Sequence, residues 1–274
     1  MKLQPLRNAL SGYKSARWLH YKVTTAGHRT AVAARLETDR WLLAHRTGLS
    51  GGRILAYHSI GTPQFGVIDV TPRAFERHLQ IAVDEGWTFG TPADVMADPT
   101  RRVLALTFDD GPTTVLTNAL PVLRHHGIPA TAFVVTGWAD GEHIDGFDYT
   151  LDWSGIETLA AAGMTVASHS VTHPNFGKLS ADEALRELTE SRERLRVMLG
   201  IDTEEFCIPY GQSANWTDAA GWAAKQAGYK IVYAQAAATR PPDTVPRNLV
   251  TRLDTPHIFR AILRGAYDSW EMYV

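Results

Sequence analysis

The sequence predicts an α/β protein folded as a (β/α)7-type barrel behind an N-terminal helical extension. Three observations predict it. From residue 53 onward, short apolar runs alternate with helical patterns; the runs number seven; and the residues with chemical character fall directly after them. Alternation of this kind means parallel strands joined by helical crossovers. Seven strands around one core suit a closed or nearly closed barrel, in which functional side chains come from the carboxyl ends of the strands.

The strand candidates are 54–57, 103–108, 130–135, 164–168, 205–208, 231–234 and 249–252. Helices lie between them. Thr71-Pro72 opens one with a cap and a proline at the first helical position. Another covers about 114–126, closed by His125 and His126 before Gly127, where cationic side chains suit the helix dipole. Asp152 caps a helix running to Ala162 and stopped by Gly163. Ser180 with Glu183 forms a capping box ahead of Ala184, Leu185, Leu188, Leu195 and Leu199. Further helices cover about 216–227 and 256–264. Residues 137–152, rich in Gly, Asp and Trp, read as a long rim loop fit to shape a substrate groove.

Two segments follow from composition. Residues 1–50 mix Arg, Trp and Leu with a helical look from Ala31 to Leu43, and Gly51-Gly52 breaks the pattern. Residues 1–53 carry ten Lys/Arg against two Asp/Glu, whereas the rest carries 17 against 27. The expected organisation is a basic helical extension, 1–50, and a catalytic domain, 51–274. The extension packs on its own domain or contacts a partner or an anionic surface. The acidic domain is a poor binder of polyanions, which disfavours a nucleic-acid substrate. A single cysteine, Cys207, excludes an intrachain disulfide and a Cys-based zinc cluster. No stretch approaches the ~20 apolar residues of a spanning helix. The first thirty residues have no apolar central run of a secretory signal, so the expected compartment is the cytoplasm.

The chemistry gathers at two motifs. Thr107-Phe108-Asp109-Asp110-Gly111 ends the run that begins at Val103, and His169-Ser170-Val171-Thr172-His173-Pro174 follows another run. A catalytic zinc takes three protein ligands and keeps one position open for water, and two His with one carboxylate are a common set. Pro174 disfavours helix at His173, so the His pair belongs on one turn after a strand. Asp110 is the third ligand expected for a divalent metal, zinc by its donor set. Consecutive side chains leave an extended strand in opposite directions. Asp109 is therefore free to face the activated water as a base. Asp-Asp-Gly alone is an ordinary turn, and a lone His-x-x-x-His pair is ordinary too; joined at strand ends they point to a metal site.

These residues resemble the polysaccharide deacetylase family, the NodB-type carbohydrate esterases. Thr107-Phe108-Asp109-Asp110-Gly111 is similar to that family's first motif and Ser168-His169-Ser170-Val171-Thr172-His173 to its second; the similarity runs from about 53 to 265. It implies a distorted seven-stranded barrel, Asp109 as base, and Asp110, His169 and His173 as metal ligands. The third motif, usually Arg-x-Pro-Tyr-Gly, reads Cys207-Ile208-Pro209-Tyr210-Gly211 here. The resemblance gives the Tyr210 backbone N–H a part in stabilising the oxyanion. The family Arg that orients the base is missing, and Arg252 is one residue that could reach its place from the last strand. The family's late histidine motif is absent as well. In a permuted subgroup acting on poly-N-acetylglucosamine the acid histidine comes from an early Tyr-His, which Tyr57-His58 resembles, so His58 is the expected general acid.

The implied activity is metal-dependent hydrolysis of the acetamide of an N-acetylated sugar or glycan, with a metal-activated water as nucleophile. Two other readings are an amidohydrolase acting on a non-sugar amide or imide, and a non-catalytic glycan-binding protein. Cys207, placed in a strand without a neighbouring base, is a poor nucleophile. Trp138, Trp153 and Trp216 are candidates for stacking on sugar faces, and His143 for touching substrate from the rim loop.

Overall fold

A computed structural model describes residues 51–61, 66–142 and 149–271. The 1–50 extension and His143 lie outside the described residues. In chain order the elements are β1 (Arg53–Tyr57), α1 (Pro72–Asp84), β2 (Thr88–Gly90), α2 (Pro92–Ala97), β3 (Val103–Phe108), a π-helical turn (Val115–Ala119) running into α3 (Leu120–His126), and β4 (Ala130–Val134). Then come α4 (Thr136–Ala139), α5 (Trp153–Ala161), β5 (Thr165–Ser168), α6 (Ala181–Leu199), β6 (Glu205–Cys207), α7 (Asp218–Gln226), β7 (Ile231–Gln235), β8 (Val245–Leu249) and α8 (Pro256–Leu263).

All strand pairings are parallel, and β1 pairs with both β3 and β8, which closes a ring of seven strands: β1, β3, β4, β5, β6, β7, β8. β2 stands outside the ring. It pairs with Val103–Ala105 of β3, on the edge that β4 takes over from Leu106 onward. The expected barrel is the observed one.

Six of the seven predicted strands match their observed spans to within a residue or two. The last does not: β8 is Val245–Leu249, four residues before the expected 249–252. Pro246 lies inside it and has no N–H to give a ladder, which argues against a strand in the sequence. The strand tolerates it by pairing with β7 only over Val245–Arg247 and with β1 over Asn248–Leu249. β2, α2 and α4 are short, and their patterns are too brief to announce them.

Strand alternation sorts side chains into two layers. Ile54, Ala105, Phe133, Ala167, Cys207 and Tyr233 pack inside the ring. Leu55, Tyr57, Leu104, Leu106 and Phe108 face outward, against Phe75 and Leu79 of α1 and Phe259 and Ile262 of α8. With both faces covered, every residue of β3 is buried, as strands of parallel sheets are. The helix ends are where the sequence signals place them. Thr71 accepts from Ala74 N, Asp152 from Gly155 N, and Ser180 with Glu183 closes a full capping box. No helix among the described residues is long and apolar enough to cross a membrane.

Candidate metal centre and active site

Asp109 extends the β3 ladder by one bond, its N–H donating to Tyr57 O at 2.9 Å, so its side chain keeps the inward parity of Ala105 and Thr107. There it meets Arg247 of β8. Nη1 donates to Asp109 Oδ1 and Nη2 to Oδ2, both at 2.7 Å, a bidentate pair. Nη1 also donates to Thr107 Oγ1 at 2.8 Å, and Nη2 lies 2.6 Å from Cys207 Sγ. The guanidinium carbon stands 5.2 Å from the Phe133 ring centroid and 5.9 Å from that of Tyr233. Burial pushes the Asp109 carboxyl up, but the charge and hydrogen bonds of Arg247 outweigh it and hold the group below its ordinary value. The small Cys207 side chain leaves room for a guanidinium that arrives from β8 instead. Burial also raises the Cys207 pKa, which favours the thiol.

Arg247 is the functional residue that the sequence reading misses. Arg252, the residue expected to reach Asp109, is exposed beyond the strand, its backbone N–H bonded to Val67 O at 2.8 Å. The misplaced strand is the cause. With β8 at 245–249, residues 245 and 247 point inward, and Arg252 lies beyond the barrel wall.

Asp110 turns away from its neighbour by entering the left-handed region at φ 70°, followed by Gly111 at φ 65°. Its Oδ1 lies 3.4 Å from His169 Nε2 and 3.3 Å from His173 Nε2, and its Oδ2 lies 4.0 Å from His58 Nε2. His169 Nδ1 is 2.8 Å from the carbonyl of Cys207. A carbonyl only accepts, so Nδ1 carries the hydrogen and Nε2 is aimed at Asp110. His173, at φ 56°, is wedged between the rings of Trp138 and Tyr210, with centroids at 5.4 and 4.6 Å.

Helix α6 backs this loop. Glu187 accepts from Val171 N at 2.9 Å, Thr172 N at 3.0 Å and Thr172 Oγ1 at 2.7 Å. Ser191 Oγ donates to Ser170 O at 3.1 Å. Of the five non-glycine residues with positive φ among the described residues, four are Asp110, Ser170, His173 and Tyr210, all at this rim. Backbone held in sparsely populated regions collects at functional sites, where surrounding structure over-determines it.

The donor set fits a cation. One atom each from Asp110, His169 and His173 lie within 4.8 Å of one another, and Asp110 Oδ1 is buried without a hydrogen-bond partner. Burial pushes His173 down to about 4, leaving a neutral imidazole with a lone pair to give. Burial disfavours charge on His169 as well, but the Asp110 and Asp109 carboxylates beside it outweigh that and raise its proton affinity; the space between Nε2 and Asp110 favours positive charge. Asp109, His169 and Cys207 form a second cluster of the same tightness. There Arg247 already supplies the cation.

His58 follows β1 and is nearly buried, with Nδ1 lacking a hydrogen-bond partner. Tyr210 sits in the turn after β6 at φ 64°, half exposed; its carbonyl accepts from Gln235 Nε2 at 3.0 Å. The structure thus brings His58, Asp109, Asp110, His169, His173 and Tyr210 to one rim. Trp216 packs on Phe176 and Phe206 in the core beneath α6 and α7, and Trp153 donates to Asp140 Oδ1 at 2.6 Å.

A parallel barrel with a carboxylate and two imidazoles converging at its C-terminal rim defines the class: a barrel protein with a donor set that could hold a metal. Residues 97–232, just under half of the chain, match the family model for polysaccharide deacetylase, the family that both motifs resemble. It is 27% identical to YxkH of Bacillus subtilis over 184 residues, 65% of this chain and 62% of that protein. It is 30% identical to a chitooligosaccharide deacetylase of Sinorhizobium fredii over 131 residues, 47% of this chain and 54% of that one. The chain spans less than two thirds of the length of these curated relatives. Among solved structures, IcaB from Ammonifex degensii aligns with TM-score 0.66 at 24% identity, over 80% of this chain and 99% of that one, a likeness of fold.

Proposed function

We propose that this protein is a metal-dependent deacetylase that removes acetyl from an N-acetylated sugar or glycan. One observation carries the reading: two adjacent buried carboxylates are set to different tasks, Asp109 bonded to a fixed guanidinium and Asp110 facing two imidazoles. Asp110, His169 and His173 would hold a divalent metal, zinc by its donor set, and that ion would supply Lewis acidity toward the acetamide carbonyl and a lowered pKa for water.

The chain's own residues do the rest. Asp109, kept ionised by Arg247, takes a proton from the attacking water. The Tyr210 N–H donates to the oxygen on which charge develops. His58, beside the other oxygen of Asp110, gives a proton to the nitrogen as the C–N bond breaks, so that a neutral amine and acetate leave. The relatives support an acetamido-sugar substrate, since one is named for chitooligosaccharides and another, from Bacillus cereus, for peptidoglycan N-acetylglucosamine.

Free acetate measured across a panel of N-acetylglucosamine oligomers, acetylated peptidoglycan fragments and cyclic imides tests the proposal. Acetate from the sugars alone is the expected result. Turnover of imides alone would move the function to non-sugar amides, and stoichiometric metal with no turnover of anything would favour a binding protein.

A further inference from the structure

The helix that follows the Asp-Asp-Gly motif is locally wide. Val115–Ala119 is a π-helical turn, closed by Leu120 N donating to Val115 O. Pro121 explains it: the ring removes one helical hydrogen bond and presses on the carbonyl four residues earlier, and a wider turn relieves both. Single π turns inside helices occur frequently at functional sites. Here the turn presents Thr114 and Asn118 to the same target. The backbone N–H of Ile60 donates to Thr114 Oγ1 at 3.0 Å, and Asn118 Nδ2 donates to Ile60 O at 2.6 Å. Both backbone groups of one residue, two places after His58, are thus gripped by one helical turn.

The grip leaves no slack. A Cβ on Gly61 would come within 2.9 Å of Thr114 Cγ2 and 3.2 Å of Asn118 Nδ2. From the other side Val70 N donates to Ser59 O at 3.0 Å, Gly61 N donates to Val70 O at 2.9 Å, and Ser59 Oγ donates to Asp69. The imidazole itself has no comparable anchor: Nδ1 has no hydrogen-bond partner and Nε2 is 4.0 Å from Asp110. Its place is set by its backbone.

We infer that Thr114 and Asn118 are positioning residues for His58, clamping its loop to the segment that carries Asp109 and Asp110. The inference rests on His58 being the proton donor. Thr114 stands three residues after Gly111, so the clamp fixes the acid to the base and ligand strand through one short piece of chain. Misplacement of a catalytic group by an ångström costs up to about 100-fold in rate.

The experiment measures acetate release from an N-acetylglucosamine oligomer and hydrolysis of 4-nitrophenyl acetate, whose leaving group departs without a proton. Thr114→Val, which keeps shape and loses the acceptor, and Asn118→Ala should each lower kcat on the oligomer about tenfold or more, with KM and 4-nitrophenyl acetate turnover within twofold. Thr114→Ser should restore the rate. In a His58→Ala background neither change should cost anything further, because residues acting as one unit are not additive. Gly61→Ala, which pushes the same two side chains aside without removing their polar groups, repeats the test should Asn118→Ala fail to fold. Equal losses on both substrates, or full losses persisting without His58, would overturn the clamp and make these residues structural. A His58→Ala protein with undiminished oligomer turnover would instead overturn the assignment of the acid itself.

Discussion

Asp109 and Asp110 are neighbours in sequence, equally buried, and treated in opposite ways by the fold. Asp109 looks into the barrel and has its cation built in, a guanidinium bonded to both oxygens. Asp110 looks along the rim and has none; its nearest partners are three imidazoles. A buried carboxylate without compensation is costly, so each must settle its charge somehow. The difference is what the proposed function uses: a carboxylate already paired with arginine is held ionised and fixed, as a base must be, and the other keeps its oxygens open for an ion.

Removing the ligand carboxylate is the harsher way to break this contrast. Asp110→Ala should abolish metal retention and lower turnover by about 10⁴-fold or more, checked by elemental analysis and acetate release. Asp109→Asn should keep the metal and lose about 10³-fold, at the scale of a lost general base. Metal loss in Asp109→Asn with metal kept in Asp110→Ala would reverse the two roles.

The contrast also has a stability side. Arg247→Met strands the Asp109 carboxylate beside an uncharged side chain inside the barrel. Breaking a buried pair in this way costs about 3–5 kcal/mol, read from denaturant unfolding. The double change Arg247→Met with Asp109→Leu should recover much of that loss, since an apolar replacement of both partners leaves no stranded charge. No recovery would mean that Arg247 acts mainly through its packing over Phe133 and Tyr233.

How much of this was legible in the sequence depends on distance along the chain. Asp109-Asp110-Gly111 and His169 to His173 could be read because each motif is local and each follows an apolar run. Helix starts at Thr71, Asp152 and Ser180 could be read because a cap needs only three or four consecutive residues. The Asp109–Arg247 pair spans 138 positions, and nothing local announces it. Its one signal, inward alternation at Val245 and Arg247, is masked by Pro246 in a segment with two more prolines at 241 and 242. His58 lies between these cases. A Tyr-His at a strand end is local, but its approach to Asp110 depends on β1 pairing with β3 over Arg53–Tyr57, a non-local event. Glu187 and Ser191 read as ordinary helix residues, and only the docking of α6 against the 169–173 loop gives them a task.

A third carboxylate completes the comparison. Asp254 is as buried as the other two but has neither arginine nor a set of imidazoles, only Thr251 N at 2.7 Å and Thr251 Oγ1 at 3.1 Å. Burial outweighs those bonds and raises it to about 7, so it is settled by a proton. Beside it His78 lies stacked on Phe259 at 4.1 Å, with Tyr57 OH 3.2 Å from Nδ1 and the Asp254 carbonyl 3.5 Å from Nε2; burial, with Arg77 adding to it, pushes His78 down to about 4. The two shifts have opposite consequences for stability. Asp254, raised when folded, gives stability that is complete below its unfolded value of 3.8 and is lost as pH climbs toward 7. His78, lowered when folded, gives stability that is complete above 6.5 and is lost as pH falls toward 4. In the native protein the two slopes oppose each other over this window. Asp254→Asn, which keeps an acceptor for Thr251, should therefore unmask the histidine, with Tm rising from pH 4 to 6.5. His78→Phe should unmask the carboxylate, with Tm falling over the same range. At about 1.4 kcal/mol per pKa unit, each slope amounts to a few kcal/mol. Parallel curves for the two variants would show that neither group's charge is governed by its burial.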